Sequence, residues 1–421
     1  MNRGPTTRAL AFALILGGLL GCSPATDSAV TPTEPLGEVV VARGAPIPIA
    51  LLLLYSSNNP AISPSFGPDQ ERGVELAIAD HLEIKGHPIE ISHFEDDLCE
   101  PAGGGAGARR IVDDPAVVAV IGTTCSAAAL MSVPILTDAG LSVISAANTS
   151  PVLTSVAGEA GIGHRRGFYR TIHSDAVNAV AGAEYAFDRL EARSAFVVSD
   201  PDFWWGEPVA TEFVRVFESL GGTIAGSFST DSADLESEIE RMALTRPDLV
   251  YLAVSEFSIV DVLGYIADQP ELADTVLLGW NYAVNADLLT ATRGIYFTKP
   301  APPSGPRYDA FLDEYNERFA DQPIEDYSDF RHHVFAYDAA SMLFDAIEAA
   351  SAEDGGQLVV DREELRNALD ATDRPGITGL LKCDEFGDCA RPAINLYLNS
   401  GEYEDLETLL SEPIDVWIPE G

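Results

Sequence analysis

Short apolar runs alternate with longer segments of helical periodicity from residue 47 onward. The apolar runs have the length of buried strands, whereas the segments between them carry apolar residues three and four positions apart. This alternation predicts parallel βαβ units. In the first half of the chain it predicts strands at residues 47–55, 89–94, 117–121 and 142–145, and helices at residues 69–81, 106–112 and 127–139.

The same alternation restarts near residue 176 and predicts a second domain of the same kind. Its expected helices are at residues 176–190, 208–220, 235–243 and 259–267, and its expected strands at 194–198, 223–227, 249–254 and 276–279. Prolines at residues 300–306 precede two further helices, and the end of the chain is typical of antiparallel strands at residues 379–381, 393–398 and 402–406. The predicted fold class is α/β, with two doubly wound domains in series.

The start of the chain has the pattern of a secretion signal. An apolar run at residues 9–22 follows two arginines and ends in Leu-Leu-Gly-Cys. A membrane-spanning helix needs about 20 apolar residues, and this run is shorter, so a cleaved signal is favoured. A lipoprotein is favoured over plain secretion or an uncleaved anchor. We expect a lipoprotein signal peptide at residues 1–21, lipidation of Cys22 and a flexible tether at residues 22–46.

Charge excludes two classes of partner. The chain has 25 basic and 66 acidic residues, which gives a net charge of −41. Nucleic acids and anionic lipid surfaces are bound through basic patches, so neither is an expected partner. Apolar residues make up 46% of the chain, which is enough to fill the cores of two globular domains.

Four cysteines remain when Cys22 is set aside, and an even number fits two disulfide bonds in an oxidising compartment. A turn between Cys383 and Cys389 predicts that these two pair across a hairpin, which leaves Cys99 with Cys125. Metal binding is the alternative, but it needs Cys-x-x-Cys or histidines at ligand spacing, and the sequence has neither. We therefore expect no metal site.

Two loops of the first domain place small hydroxyl residues near the start of a helix. Residues 122–126 follow one predicted strand and end at Ser126, while residues 146–150 follow the next strand and contain Thr149. Ligands of doubly wound sheets bind beyond the carboxyl ends of the strands, and a helix N-terminus suits an anion. The alternative is that Ser126 and Thr149 only cap their helices, and local chemistry leaves both interpretations open.

Several motifs indicate a family. They are residues 96–99, 108–114 and 119–126, the segment Ser-Ala-Ala-Asn-Thr-Ser-Pro at 145–151, and Phe-Tyr-Arg-Thr at 168–171. With them the chain resembles the branched-chain amino-acid (leucine/isoleucine/valine) type of periplasmic substrate-binding protein of ABC transporters. The resemblance covers nearly the whole chain beyond residue 70, and its cysteine placement supports the pairing of Cys99 with Cys125.

The resemblance implies a type I periplasmic binding fold. Two Rossmann-like lobes would be joined by a hinge and enclose a ligand cleft. On this basis the N-terminal lobe comprises residues 47–171 and 300–375, and the C-terminal lobe comprises residues 172–299 and 376–421.

The family's ligand contacts can be transferred to matching positions. The serine that binds the ligand's α-carboxylate through its hydroxyl and N–H corresponds to Ser126, with Cys125 before it. The alanine carbonyl and the threonine that meet the ammonium and carboxylate groups correspond to Ala147 and Thr149. The resemblance therefore implies that the first lobe holds the charged end of an amino acid.

In the second lobe the chain departs from the family pattern. The resemblance implies that Phe66 of the first lobe and Trp205 of the second lobe form walls around the ligand side chain. The departure is Asn281, which stands where amino-acid binders often place an acid. An amide supplies no countercharge, and a desolvated ammonium without one is costly. Either Glu256 supplies the carboxylate, or the ligand lacks a free amine.

The expected function is that of an extracytoplasmic solute-binding protein, lipid-anchored in the periplasm or at the cell surface. As a monomer without a cofactor, it would capture an amino acid or a related small carboxylate or amide by hinge closure and deliver it to an ABC permease in the inner membrane. A ligand-sensing receptor of the same fold is the alternative. An exported hydrolase is disfavoured because the Gly-x-Ser-x-Gly, His-Glu-x-x-His and phosphate-loop motifs are absent.

Overall fold

The computed structural model describes residues 36–59, 62–201, 205–322 and 332–419. The described residues, from Leu36 onward, belong to one compact unit. The predicted signal peptide and Cys22 lie outside the described residues.

The described elements alternate between strands and helices through most of the chain. The strands are β1 (Glu38–Val41), β2 (Ile47–Leu53), β3 (Glu83–Ile84), β4 (His87–Asp96), β5 (Ala119–Gly122), β6 (Ser142–Ser145), β7 (Ser155–Val156), β8 (Glu159–Ala160), β9 (Phe168–Arg170), β10 (Ser194–Ser199), β11 (Thr223–Ser229), β12 (Leu249–Ala253), β13 (Val276–Gly279), β14 (Tyr296–Pro300), β15 (Ser351–Asp354), β16 (Gln357–Asp361), β17 (Asp373–Pro375), β18 (Leu380–Lys382), β19 (Ile394–Leu398) and β20 (Asp415–Trp417). The helices are α1 (Phe66–His81), α2 (Pro101–Val112), α3 (Ser126–Asp138), α4 (Asp175–Glu184), α5 (Gly206–Ser219), α6 (Leu235–Thr245), α7 (Ile259–Ala267), α8 (Pro306–Arg318), α9 (His332–Ala350), α10 (Arg362–Asp370) and α11 (Leu406–Leu410).

The first lobe is built on a sheet with the strand order β3-β4-β2-β5-β6-β9. All of its pairs are parallel except β3 with β4. Both faces of the sheet are covered: Leu51 and Leu53 of β2 share a core with α1 and α9, whereas Ala50 and Leu52 share a core with α2 and α3. Burial on both faces explains why β2 reads as a continuous apolar run.

The second lobe is built on a sheet with the order β11-β10-β12-β13-β14-β19-β20. The first five strands are parallel, and β19 and β20 extend the sheet in antiparallel pairing. The rings of Phe213 on α5 and Tyr251 on β12 stack at a centroid distance of 3.8 Å inside the core of this lobe. The second lobe therefore has its own hydrophobic core.

Three chain segments connect the two sheets, after β9, after β14 and before β19. They are hydrogen-bonded to one another: the N–H of Cys389 donates to the carbonyl of Arg170 at 3.1 Å, and the N–H of Ala301 to that of Ala393 at 2.8 Å. The disulfide between Cys383 and Cys389 closes a hairpin at the third connection, as predicted. Two doubly wound sheets joined in this way confirm the predicted fold class.

Strand β1 lies inside the segment predicted to be a flexible tether at residues 22–46, so that prediction is wrong for the last part of the segment. Val39 and Val41 are buried, whereas Glu38 and Val40 are exposed. The strand pairs antiparallel with β16, far along the chain. The local signal for this strand was its run of three β-branched valines, Val39 to Val41.

Two other boundaries differ from the predictions. Residues 402–406 do not form a strand; Asp405 instead caps helix α11 by accepting the N–H of Thr408 at 2.7 Å, and β20 follows it. Helix α2 begins at Pro101 rather than at residue 106, because proline is favourable at the first helical position. Gly104 in this helix packs against α3, where a Cβ atom would lie 2.4 Å from the carbonyl oxygen of Ala128.

Candidate functional site

Two loops of the first lobe lie side by side at the carboxyl ends of β5 and β6. These strands are parallel neighbours, so the residues that follow them meet at one edge of the sheet. Ser126 is the first residue of α3, and its Oγ accepts the N–H of Ser150 at 3.3 Å. The N–H of Ala147 donates to Oγ of Ser145 at 3.1 Å. The structure thus brings together the two loops that were predicted to bind ligand.

A buried carboxylate organises the loop that leads to Ser126. Asp97 accepts the N–H groups of Cys99 at 2.8 Å, Thr124 at 2.7 Å and Cys125 at 3.1 Å. Burial raises the pKa of Asp97 to about 6, although the hydrogen bonds from the three N–H groups oppose this effect. The predicted disulfide between Cys99 and Cys125 is present and joins the same two loops covalently.

A buried arginine fixes the loop after β6 to the third connection. Nη1 of Arg170 donates to the carbonyl oxygens of Asn148 and Ser150, both at 2.9 Å. Its Nε donates to the carboxylate of Asp388, and its Nη2 donates to the hydroxyl of Thr154. All three guanidinium nitrogens are therefore engaged, and the loop is held in place by the segments that join the lobes.

Three predicted site residues lie at one edge of the second sheet. Trp205 immediately precedes α5, Glu256 follows β12 and is half-buried, and Asn281 follows β13 and is only 5% exposed. Because β10, β12 and β13 are parallel neighbours, the loops after them converge. The second lobe therefore offers an aromatic ring, a carboxylate and an amide at the same edge.

Tyr282 was not predicted as a site residue, but it lies at the centre of this group. Its ring stacks on Trp205 at a centroid distance of 6.2 Å and meets Trp280 edge-on at 4.9 Å. Trp280 is itself fixed, because its Nε1 donates to the carbonyl of Val254 at 2.8 Å. The sequence signal that could have identified Tyr282 was its position directly after Asn281 in the same loop.

The hydroxyl of Tyr282 lies close to both lobes. Its neighbours are the side chains of Thr149 in the first lobe and Asn281 in the second lobe. Desolvation of the hydroxyl raises its pKa, the negative charges of Asp175 and Glu256 raise it further, and the polar groups of Thr149 and Asn281 oppose the rise. The hydroxyl is therefore neutral and can donate as well as accept. Thr149, Asn281 and Glu256 are thus brought together around one side chain.

Phe66 lies on the first-lobe side, where it begins α1. Its ring meets that of His332 edge-on at a centroid distance of 5.1 Å. Nε2 of Gln70 donates both to the carbonyl of Phe66 at 3.1 Å and to Oγ1 of Thr124 at 2.9 Å. Phe66 is therefore connected to the loop that precedes Ser126.

The chemistry available at this edge is hydrogen bonding and aromatic contact. Within the described ranges, no group of three or more His, Cys, Asp or Glu side chains is placed to hold a metal ion. No helix in the described part of the chain combines the length and apolar character needed to cross a bilayer. Hydroxyl, amide, carboxylate and aromatic groups from two lobes suit a small polar molecule.

Comparisons of the sequence identify related proteins. The family described as periplasmic binding protein matches residues 46–388. A Leu/Ile/Val-binding protein from Escherichia coli (strain K12) is 23% identical over 337 residues, which cover 77% of this chain and 83% of that protein. An amino acid binding protein from Pseudomonas aeruginosa is 29% identical over 160 residues, which cover 37% of this chain and only 40% of that protein.

Solved structures show the same fold. A leucine binding protein from Thermotoga maritima has a TM-score of 0.63 and 22% identity, and the match covers 89% of this chain and 99% of that chain. A solute binding protein from R. palustris in complex with 4-hydroxybenzoate has a TM-score of 0.64 and 19% identity. That match covers 89% of this chain and 98% of that chain. Because the family match extends over most of its length, this chain belongs to the periplasmic binding protein family and is an extracytoplasmic solute-binding protein, not an enzyme.

Proposed function

We propose that this protein captures a small carboxylate-bearing solute, an amino acid or a related molecule, and delivers it to an ABC permease. The observation that carries the proposal is Ser126 at the N-terminus of α3, beside the loop of Thr149. A helix N-terminus with adjacent hydroxyls favours an anion. The names of the relatives support this, because leucine and 4-hydroxybenzoate share a carboxylate.

The solute would lie between the lobes. The side chain of Thr149 and the hydroxyl of Tyr282 already lie close together across the two sides of the site. A ligand favours the closed arrangement only if it binds that arrangement more tightly than the open one. Contacts to Ser126 and Thr149 on one side, and to Trp205 and Asn281 on the other, supply that difference. Phe66 would line the first-lobe wall.

We also propose that the protein is a monomer held at a membrane by lipid on Cys22, in the periplasm or at the cell surface. The segment before Leu36 would act as the tether. Treatment of cells with an inhibitor of lipoprotein processing tests this, because the unprocessed chain migrates more slowly on gels. A Cys22→Ser chain that still fractionates with membranes would contradict lipid anchoring.

The ligand proposal is tested by a thermal-shift screen of the chain without residues 1–22. The compounds are the proteinogenic amino acids, their 2-hydroxy analogues, amides and benzoates. A ligand at 100 times its dissociation constant adds about 2.7 kcal/mol to the free energy of unfolding. At least one carboxylate should raise the melting temperature. A screen in which no carboxylate stabilises the protein would overturn the proposed function.

Variants then test the residues. Ser126→Ala and Thr149→Val should each weaken the binding of that compound by about 1.5–3 kcal/mol if they remove charge-assisted hydrogen bonds. Thr211→Val is the matched control, because Thr211 is exposed on α5 and bonds only within its helix, to the carbonyl of Glu207. Unchanged affinity in both site variants would refute the assignment of the carboxylate subsite.

A further inference from the structure

Asp175 is a buried carboxylate beside the proposed ligand site. It is the first residue of α4, and its N–H donates to the carbonyl of Thr149 at 2.9 Å. Its side chain is 0% exposed. Neither carboxylate oxygen receives an aligned hydrogen bond from any residue that the structure describes. The hydroxyl of Thr149 lies near both Asp175 and Tyr282, and it has a single proton to donate.

The positive groups near Asp175 do not neutralise it. Arg170 acts on it electrostatically, but the guanidinium nitrogens of Arg170 are bonded elsewhere. Nε2 of His173 lies 3.9 Å from Oδ1 of Asp175. Burial, with the charge of Arg170, lowers the pKa of His173 to about 3, so this imidazole is neutral at physiological pH. A buried carboxylate in this position lacks its counter-ion.

Another buried acceptor lies close by. Oδ1 of Asn281 is also buried and receives no hydrogen bond from the described residues. The charge of Asp175 reaches the hydroxyls of both Tyr282 and Tyr251 and raises their pKa values. Carboxylate and amide oxygens near Tyr282 therefore form a cluster that is rich in acceptors and negatively charged.

We propose that Asp175, rather than Glu256, is the carboxylate that binds a primary ammonium group of the ligand, with Oδ1 of Asn281 accepting a second N–H. An ammonium group supplies the positive charge and the donors that these oxygens lack. Glu256 is half-buried and retains contact with water, so its charge does not need a ligand.

This inference rests on the proposed function and narrows its substrate class. The hydrogen bond between Asp175 and Thr149 places the ammonium site next to the carboxylate site. Adjacent carboxylate and ammonium groups are the arrangement of an α-amino acid. Asp175 is therefore a specificity-determining residue that selects α-amino acids against hydroxy acids and benzoates.

Binding should also release a proton. Burial raises the pKa of Asp175 to about 7, with Thr149 and Arg170 opposing the rise. The groups that face this carboxyl from the packed elements are Arg170, His173, Tyr251 and Tyr282. Only the ionised carboxylate pairs with an ammonium. Affinity for an amino acid should therefore fall as pH decreases through about 7 and level off above it.

Isothermal titration calorimetry tests the inference. Each α-amino acid that binds is compared with its 2-hydroxy analogue, for the wild type and for Asp175→Asn, Glu256→Gln and Asp188→Asn. Asp188 is an exposed acid just beyond α4 and serves as the control. The wild type should prefer the amino acid by about 100-fold. Asp175→Asn should lose this preference, whereas Glu256→Gln and Asp188→Asn should keep it.

Proton release, obtained from binding enthalpies in buffers of different ionisation enthalpy, gives a second readout. The release at pH 7 should disappear in Asp175→Asn. A wild type that binds hydroxy acids or benzoates as tightly as amino acids would overturn the inference and leave the solute-binding function intact. Loss of preference in Glu256→Gln, with retention in Asp175→Asn, would also overturn it. A wild type that binds no carboxylate would refute the proposed function itself.

Discussion

Replacing Asp97 by alanine should destabilise the protein by about 3 kcal/mol. The side chain is fully buried and accepts three backbone N–H groups, two of which immediately precede Ser126. Removing a buried acceptor leaves each donor unsatisfied at a cost of about 1–3 kcal/mol, and water entering the vacated space offsets part of the total. Asp97→Asn should cost less, because the amide oxygen still accepts while its NH₂ group cannot.

The assay is urea unfolding monitored by tryptophan fluorescence. The denaturation midpoint should fall without a change in the slope, in the order wild type, Asp97→Asn, Asp97→Ala. Asp138→Ala is the control, because this exposed acid ends α3, and its loss should change stability by no more than about 0.5 kcal/mol. An Asp97→Ala protein as stable as the control would show that Asp97 does not hold the loop.

Three other perturbations have defined expectations. Arg170→Met should lower the free energy of unfolding, measured by chemical denaturation, by about 3–5 kcal/mol, because Asp388 loses its buried partner. A decrease below about 1 kcal/mol, which is no larger than the contribution of an exposed ion pair, would contradict this. Replacing both Cys99 and Cys125 by alanine should cost about 3.5 kcal/mol, from the loop entropy of their separation of 26 residues, and an unchanged denaturation midpoint would refute it. Tyr282→Phe should weaken ligand binding by about 1 kcal/mol in calorimetry, and unchanged affinity would show that the hydroxyl plays no part in closure.

The central strands and helices could be predicted from the sequence because each lobe buries both faces of a parallel sheet. Strand β2 is an example, since its side chains pack alternately against two different helical layers. Strand β1 could not be recognised in the same way, because its partner β16 lies more than 300 residues away in sequence. Pairing over such a distance leaves no local signal beyond the run of three valines in β1.

The proximity of the two first-lobe loops could be predicted from the sequence. Ser126 and Thr149 follow consecutive strands, and parallel strands bring such loops together. Asp175 could not be identified, because an acid at the start of a helix is usually a favourable N-terminal charge in water. Only the packing of the second lobe against Thr149 shows that this carboxylate is buried without a counter-ion.

The most direct measurement is a crystal structure with the compound that stabilises the protein most in the thermal-shift screen. The ligand carboxylate should lie within hydrogen-bonding distance of Ser126 and Thr149, with its ammonium group on Asp175. A cavity of about 540 Å³ lies among the connections between the lobes and is lined by His173, Phe335 and residues 300–307, 375–380 and 390–393. A ligand bound only in that cavity, or away from Ser126, would contradict the account.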